Sequence, residues 1–158
     1  MNIAICDDEA TETEYISDLI EKYALYKDYD IHCRQFNRGS ELLKAPKFDL
    51  YILDYKMDEM NGVEVAEALK EKFSRNITIC YLTNYESAAE EVINHHIYAD
   101  GFLRKPVDTA KLYEKLDRFY LTSFTNRLLL KKSTELHTVY TGDISIKNWA
   151  GSAEDCSE

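Results

Sequence analysis

The sequence has no long apolar run, no closely spaced cysteine pair and no excess of basic residues. No apolar run approaches the roughly twenty residues of a membrane-spanning helix, and the amino-terminal segment has no basic stretch typical of a signal peptide. These absences predict a cytoplasmic protein that does not bind membranes. None of the cysteines forms a Cys-x-x-Cys pair, and Cys6, Cys33 and Cys80 lie in apolar runs, which predicts reduced core thiols.

Negative charge dominates the first 120 residues. The formal net charge of the chain is −10, and all but one of these net charges fall before residue 121. So acidic a surface repels the phosphate backbone of nucleic acids. We therefore expect that this part of the chain does not bind DNA or RNA directly.

Five short apolar runs alternate with segments of helical periodicity. The runs, which are predicted to be buried strands, span residues 2–6, 29–36, 48–54, 76–82 and 99–104. The helices are predicted around residues 15–23, 40–43, 61–73, 86–96 and 108–120. Because a strand–helix–strand crossover is almost always right-handed, this order predicts an α/β fold with a doubly wound parallel sheet. A chain of 158 residues can form one such domain with a modest addition.

Polar side chains follow four of the predicted strands, where each strand ends. They are Asp7 and Asp8, Asp54, Thr83, and Lys105. The carboxyl ends of parallel strands meet at one edge of a sheet, so we expect these side chains to lie together. Three clustered carboxylates repel one another unless a cation intervenes, and Mg²⁺ accepts carboxylate and phosphate oxygens. A lysine and a hydroxyl across the site can hold the other phosphoryl oxygens. The sequence therefore predicts a magnesium site that carries a phosphoryl group.

These motifs resemble those of the response-regulator receiver domain of bacterial two-component signalling. The matching residues are Asp7-Asp8, Leu53-Asp54, Met57, Met60-Asn61-Gly62, Leu82-Thr83 and Lys105-Pro106. The match extends over about residues 1–122. It implies a flavodoxin-like, five-stranded sheet in the order 2-1-3-4-5. It also implies that the protein is not an enzyme in the usual sense, since it catalyses only its own phosphorylation and dephosphorylation.

The resemblance assigns roles to the acidic residues. Asp54 would be the nucleophile that takes a phosphoryl group from the phosphohistidine of a sensor histidine kinase, by in-line transfer. Asp8, Asp54 and the backbone carbonyl of Lys56 would bind Mg²⁺. Asp7 would bind the ion directly or through a water molecule.

The resemblance also implies a switch. Lys105 would neutralise phosphoryl oxygens, and the Thr83 hydroxyl would donate to one of them. Phe102 would turn inward when Thr83 moves, which would remodel the surface of the fourth helix, fifth strand and fifth helix. That surface could form a phosphorylation-dependent homodimer. Pro106 is the candidate for a cis peptide bond.

Two positions depart from the family's pattern. Asp58 stands where proline is usual, and we expect it to loosen the loop after Asp54 and to add negative charge near the site. Asn84 stands where a small residue is usual. An alternative also stays open, because nothing in the sequence excludes impaired phosphoryl transfer. In this alternative the chain is a pseudo-receiver that is never phosphorylated and acts only as an interaction module. A phosphatase of the haloacid dehalogenase type is excluded, because it needs an aspartate at the position of Lys56.

The segment beyond residue 122 differs in character. Residues 127–131 and 138–140 are predicted to be the strands of a hairpin, and residues 142–144 a third short strand. This short C-terminal β extension is similar to the start of a LytTR-type DNA-binding domain, which implies transcription regulation. We expect residues 123–158 to be a linker, a truncated start of that domain and a disordered tail. DNA binding would need the complete effector domain.

Overall fold

The core of the protein is a five-stranded parallel sheet. The computed structural model describes residues 1–73, 77–84 and 99–142. The strands are β1 (Asn2–Cys6), β2 (His32–Phe36), β3 (Leu50–Asp54), β4 (Thr78–Thr83) and β5 (Gly101–Arg104). All neighbouring pairs are parallel and the spatial order is β2-β1-β3-β4-β5, which confirms the predicted fold.

Three helices connect successive strands within the described residues, and a fourth follows β5. The connecting helices are α1 (Ala10–Lys27), α2 (Gly39–Lys44) and α3 (Gly62–Phe73), and the last is a C-terminal helix (Thr109–Gly142). The helix predicted around residues 86–96 lies outside the described residues. Within the described ranges, no helix combines the length and apolarity needed to cross a membrane.

The central strand β3 is buried along its whole length because apolar layers cover both faces of the sheet. On one face, α2 and α3 pack Leu42 and Leu69 against Tyr51 and neighbouring side chains. The other face is covered by α1 and the C-terminal helix, which contribute apolar side chains such as Ile16 and Leu116. Because successive side chains of a strand point to opposite faces, each strand contributes residues to both layers. This is the doubly wound arrangement that the sequence predicted.

Side-chain caps fix where α3 and the C-terminal helix begin. The Asn61 carboxamide oxygen accepts from the N–H groups of Val63 and Glu64, and the Glu64 carboxylate accepts from the N–H of Asn61 at 2.9 Å. This reciprocal pattern is a capping box. The Asp108 carboxylate accepts from the N–H of Lys111 at 3.0 Å. These caps place the starts of the two helices at Gly62 and Thr109.

Tyrosines attach the first turns of the C-terminal helix to α1 and to Tyr29, just beyond the end of α1. The rings of Tyr23 and Tyr113 stack with centroids 4.3 Å apart, and those of Tyr29 and Tyr120 stack at 3.8 Å. The Tyr29 hydroxyl also donates to the Asp117 carboxylate at 3.2 Å. Stacked aromatic pairs add specific geometry to the area they bury, so these contacts fix this end of the helix beside α1.

The prediction of strands at residues 127–131 and 138–140 is wrong, because the C-terminal helix continues through Gly142. The segment contains several leucine and lysine residues, which favour helix. Extending an existing helix also avoids the cost of nucleating a new element. The chain divides after Ser123 into two compact units, and the third predicted strand lies mainly outside the described residues.

Candidate functional site

The predicted site residues converge at the carboxyl edge of the sheet. Asp7 follows β1, Asp54 ends β3, Thr83 ends β4 and Lys105 follows β5. The N–H of Lys105 donates to the carbonyl oxygen of Thr83 at 2.9 Å, which extends the pairing of β4 and β5 into the site. Asp7, Asp54 and Thr83 are buried, whereas Asp8 is exposed. The topology alone therefore brings residues from distant parts of the chain together.

Three carboxylates lie close enough to share a cation. Asp7, Asp8 and Asp54 each offer one oxygen, and these oxygens lie within 4.8 Å of one another. A hard divalent ion binds oxygens at about 2.0–2.6 Å, so ligands on opposite sides of one ion can be about 5 Å apart. The donor set is all oxygen, as such ions prefer. The residues present therefore fit a divalent cation such as Mg²⁺.

Lys105 supplies the positive charge of the site. Its Nζ lies 2.5 Å from Oδ2 of Asp7 and 3.2 Å from Oδ1 of Asp54, and the lysine side chain is only 8% exposed. Burial by itself would lower the pKa of the Lys105 ammonium. Hydrogen bonds and charges from Asp7 and Asp54 outweigh burial and raise this pKa above its usual value. Lys105 is therefore held as a cation between the two buried carboxylates.

Asp54 is a carboxylate of this group whose charged form is disfavoured. Burial, followed by repulsion from Asp7, raises the pKa of the Asp54 carboxyl to about 6, although Lys105 pulls it in the opposite direction. One ammonium thus does not fully compensate the clustered carboxylates. Since the ionised form of Asp54 is disfavoured, the site has electrostatic capacity for an additional cation.

Substituting Asp54→Asn should therefore stabilise the cation-free protein. The folded-state pKa of about 6 exceeds the ordinary value of 3.8, so the folded protein binds the Asp54 proton more tightly than the unfolded chain does. Stability is consequently lost as the pH rises from about 4 to 6. We expect Asp54→Asn to raise the free energy of unfolding by about 1–3 kcal/mol at pH 7, measured by urea denaturation with a chelator present.

The control for this measurement is Glu14→Gln, which neutralises an exposed carboxylate on α1. Surface substitutions of this kind usually change stability by at most about 0.5 kcal/mol. The gain from Asp54→Asn should shrink as the pH falls below 6 and should vanish near pH 4. Equal stability of Asp54→Asn and the unaltered protein at pH 7 would contradict the electrostatic reading of the site.

A pocket opens above these residues. Its volume is about 260 Å³, and its lining consists of Asp8, Glu9, Asp54, Tyr55, Lys56, Asp58, Thr83, Asn84 and Lys105. Tyr55 is a lining residue that none of the sequence motifs identifies. Its position directly after Asp54 was the available signal, because the residue that follows a strand-end carboxylate must turn along the rim of the sheet.

Backbone N–H groups orient two of the carboxylates. Oδ1 of Asp7 accepts from the N–H of Glu9 at 3.0 Å, and Oδ2 of Asp8 accepts from the N–H of Asp58 at 3.0 Å. We expected Asp58 to loosen the loop after Asp54. The structure instead shows that Asp58 ties this loop to Asp8, through a donor that a proline would lack.

The residues of the predicted switch lie on adjacent strands. Phe102 on β5 pairs with Tyr81 on β4, and their rings stack with centroids 5.8 Å apart. Thr83 is two residues beyond Tyr81, so both side chains lie on the same face of β4. The peptide bond between Lys105 and Pro106 is cis. The coupling of Phe102 to Thr83 stays a prediction.

Solved structures of receiver domains share this fold. The response regulator TrrA from Thermotoga maritima, in complex with Mg²⁺-BeF, has a TM-score of 0.63 and 25% identity, with 75% of this chain and 97% of that chain covered. The REC domain of AraT, a response regulator from Geobacillus stearothermophilus, has a TM-score of 0.66 and 23% identity, with 80% and 97% covered. The five-stranded arrangement described above is thus the fold of these domains.

Sequence comparison leads to the same family. The transcriptional regulatory protein CrdR of Helicobacter pylori is 26% identical over 112 residues, which are 69% of this chain and 52% of CrdR. The chain therefore spans about half the length of that relative. The family model described as the response regulator receiver domain matches residues 3–117. With both the fold and most of its length matched, the chain belongs to the response regulator receiver domain family.

Proposed function

We propose that this chain is the phosphoacceptor of a two-component response regulator, and that Asp54 receives the phosphoryl group from a sensor histidine kinase. One observation carries the proposal. Asp54 shares its cluster with two further carboxylates, whose oxygens lie within 4.8 Å of one another, and lies 3.2 Å from the Lys105 ammonium. The arrangement combines a nucleophile, a cation site and a fixed positive charge in one pocket.

Among the three carboxylates, Asp54 is the one suited to attack. It lines the pocket, whereas Asp7 is fully buried and paired with Lys105. Asp8 is held by the N–H of Asp58. The raised pKa of Asp54, about 6, makes its carboxylate more basic than an ordinary aspartate. Greater basicity strengthens the nucleophile, while at neutral pH the group remains mostly ionised.

In the transfer step, an Asp54 oxygen forms a bond to phosphorus as the bond between phosphorus and the kinase imidazole nitrogen breaks. The electron pair of the broken bond stays on the imidazole. Asp7, Asp8, Asp54 and the Lys56 carbonyl would hold Mg²⁺, which neutralises phosphoryl charge when bound. Lys105 holds the phosphoryl oxygens on the opposite side, and the Thr83 hydroxyl donates to one of them. Position and countercharge supply most of the catalysis in such transfers.

The output of the switch follows from the added charge. A phosphoryl group brings about −1.5 to −2 charges at neutral pH, which draws Thr83 toward Asp54 and lets Phe102 turn inward. We assign the receiver to residues 1–122 and the start of an output segment to residues 123–158. The relative CrdR is named a transcriptional regulatory protein, which supports transcription control as the output of a complete protein with an effector domain.

Phosphorylation by a small donor tests the proposal. The unaltered protein, incubated with acetyl phosphate and Mg²⁺, should gain the mass of one phosphoryl group. Asp54→Ala should gain none, and Asp18→Ala, which removes an exposed carboxylate of α1, should behave as the unaltered protein. A chelator should prevent the gain. If the unaltered protein acquires no phosphoryl group from either acetyl phosphate or a histidine kinase, the chain is a non-phosphorylated interaction module.

A further inference from the structure

The loop between β3 and α3, residues 55–61, makes one contact that crosses to the end of β1. The backbone N–H of Asp58 donates to Oδ2 of Asp8 at 3.0 Å, over a sequence separation of 50 residues. Both side chains are exposed. An exposed aspartate otherwise exchanges freely among rotamers, so this hydrogen bond selects one orientation of the Asp8 carboxylate.

The donor itself is held in place from both sides. Met57, the residue before Asp58, is only 8% exposed, and its Sδ lies 3.7 Å from Sγ of Cys6. The two ends of the loop are closed on each other, because the N–H of Gly62 donates to the carbonyl oxygen of Tyr55 at 3.1 Å. Asp58 therefore presents its N–H from a braced segment of backbone.

We propose that the backbone N–H of Asp58 is a positioning group for the cation site. It fixes one oxygen of Asp8 and leaves the other for the ion. Since Asp58 is two residues from Lys56, the same bond also sets the distance between the Lys56 carbonyl and Asp8. Two candidate ligands from separate loops are thereby held in register before the cation arrives. This inference rests on the proposed function of the site.

Asp58 contributes to the site in two separable ways. Its carboxylate lines the pocket and adds negative charge, and its N–H orients Asp8. Alanine at this position removes the charge and keeps the donor, whereas proline removes both. Groups that orient a metal ligand typically change metal affinity by about 10- to 100-fold when they are lost. Loss of the N–H donor should therefore weaken Mg²⁺ binding more than loss of the carboxylate charge does.

Calorimetric titration of the full chain with Mg²⁺ distinguishes the two contributions. Asp58→Ala should bind Mg²⁺ within about threefold of the unaltered protein, as expected for one exposed charge. Asp58→Pro should bind at least about tenfold more weakly than Asp58→Ala. Equal affinities of the two variants would overturn the proposal.

A second measurement avoids proline, which also restricts the backbone of the preceding Met57. Amide hydrogen exchange at Asp58, followed by NMR without any cation, should be at least about tenfold faster in Asp8→Ala than in the unaltered protein. Amides of β3 in the same sample should exchange at unchanged rates. An Asp58 amide that exchanges equally fast in both proteins would show that the hydrogen bond does not hold the loop.

These measurements distinguish failure of the proposed function from failure of the role given to the Asp58 N–H. If the unaltered protein neither binds Mg²⁺ nor accepts a phosphoryl group, the proposed function fails and this inference fails with it. If the unaltered protein does both, but Asp58→Ala and Asp58→Pro bind Mg²⁺ alike, only the role of the Asp58 N–H is refuted.

Discussion

Substituting Lys105→Met should lower the free energy of unfolding of the cation-free protein by about 3–5 kcal/mol at pH 7. The Lys105 ammonium lies 2.5 Å from Asp7 and 3.2 Å from Asp54, and both aspartates are at least nine-tenths buried. Methionine preserves much of the apolar stem but leaves two buried carboxylates without countercharge. Removing one partner of a buried ion pair costs far more than the pair itself contributes, because the remaining charge stays desolvated.

Urea denaturation in the presence of a chelator measures this effect. Lys111→Met, which removes an exposed lysine at the start of the C-terminal helix, is the matched control. Loss of the ammonium removes the influence that lowers the pKa of Asp54, so that pKa rises above about 6. The folded variant then binds more protons than the unfolded chain, and its stability should increase as the pH falls toward 5. A variant as stable as the unaltered protein at pH 7 would refute the role given to Lys105.

Substituting Gly62→Ala should destabilise the protein by about 3 kcal/mol or more. A Cβ at position 62 would lie 2.2 Å from the carbonyl oxygen of Asp54 and 3.1 Å from its carbonyl carbon. These atoms belong to the backbone of the central strand, so they cannot relieve the clash by a change of rotamer. Helix propensity alone would favour alanine at the start of α3 by about 1 kcal/mol, so the sign of the measured change separates the two effects.

Two other glycines, Gly39 and Gly101, provide a graded control for that measurement. At Gly101 the nearest atom to an added Cβ is the flexible Nζ of Lys115 at 3.2 Å, so Gly101→Ala should cost less than about 1 kcal/mol. Gly39→Ala should fall between them, because its Cβ would meet a side-chain methyl of Val65 at 2.5 Å. Chemical denaturation of the three variants should give this ranking. Equal losses for Gly62→Ala and Gly101→Ala would show that α3 can move away from Asp54.

The sequence could predict the strands and the site because both follow from simple constraints. A buried run such as residues 50–54 has few alternatives to a central strand, and parallel topology then brings strand ends together. Asp7, Asp54 and Lys105 could therefore be grouped without coordinates, and they do converge. The contacts of these residues are made by their side chains, and the type of each side chain can be read directly from the sequence.

Two features escaped sequence reasoning for physical reasons. The run Leu128-Leu129-Leu130 satisfies both a strand and a helix pattern, and its helix-forming neighbours and its continuity with the preceding helix decide for helix. At Asp58 the sequence-based expectation concerned the acidic side chain, whereas the contact to Asp8 is made by the backbone N–H. Every residue except proline carries that donor, so its use depends on the path of the loop.

The placement of the acidic cluster has a thermal consequence. An ion held by Asp8 and Asp54 would join the ends of β1 and β3, which are neighbouring strands in the middle of the sheet. The ion can bind only while both strand ends are in place, so its binding energy adds to global rather than local stability. At about one hundred times its dissociation constant, such a ligand adds about 2.7 kcal/mol. An increase in the melting temperature therefore reports, without any label, which cations and phosphate analogues bind in the pocket.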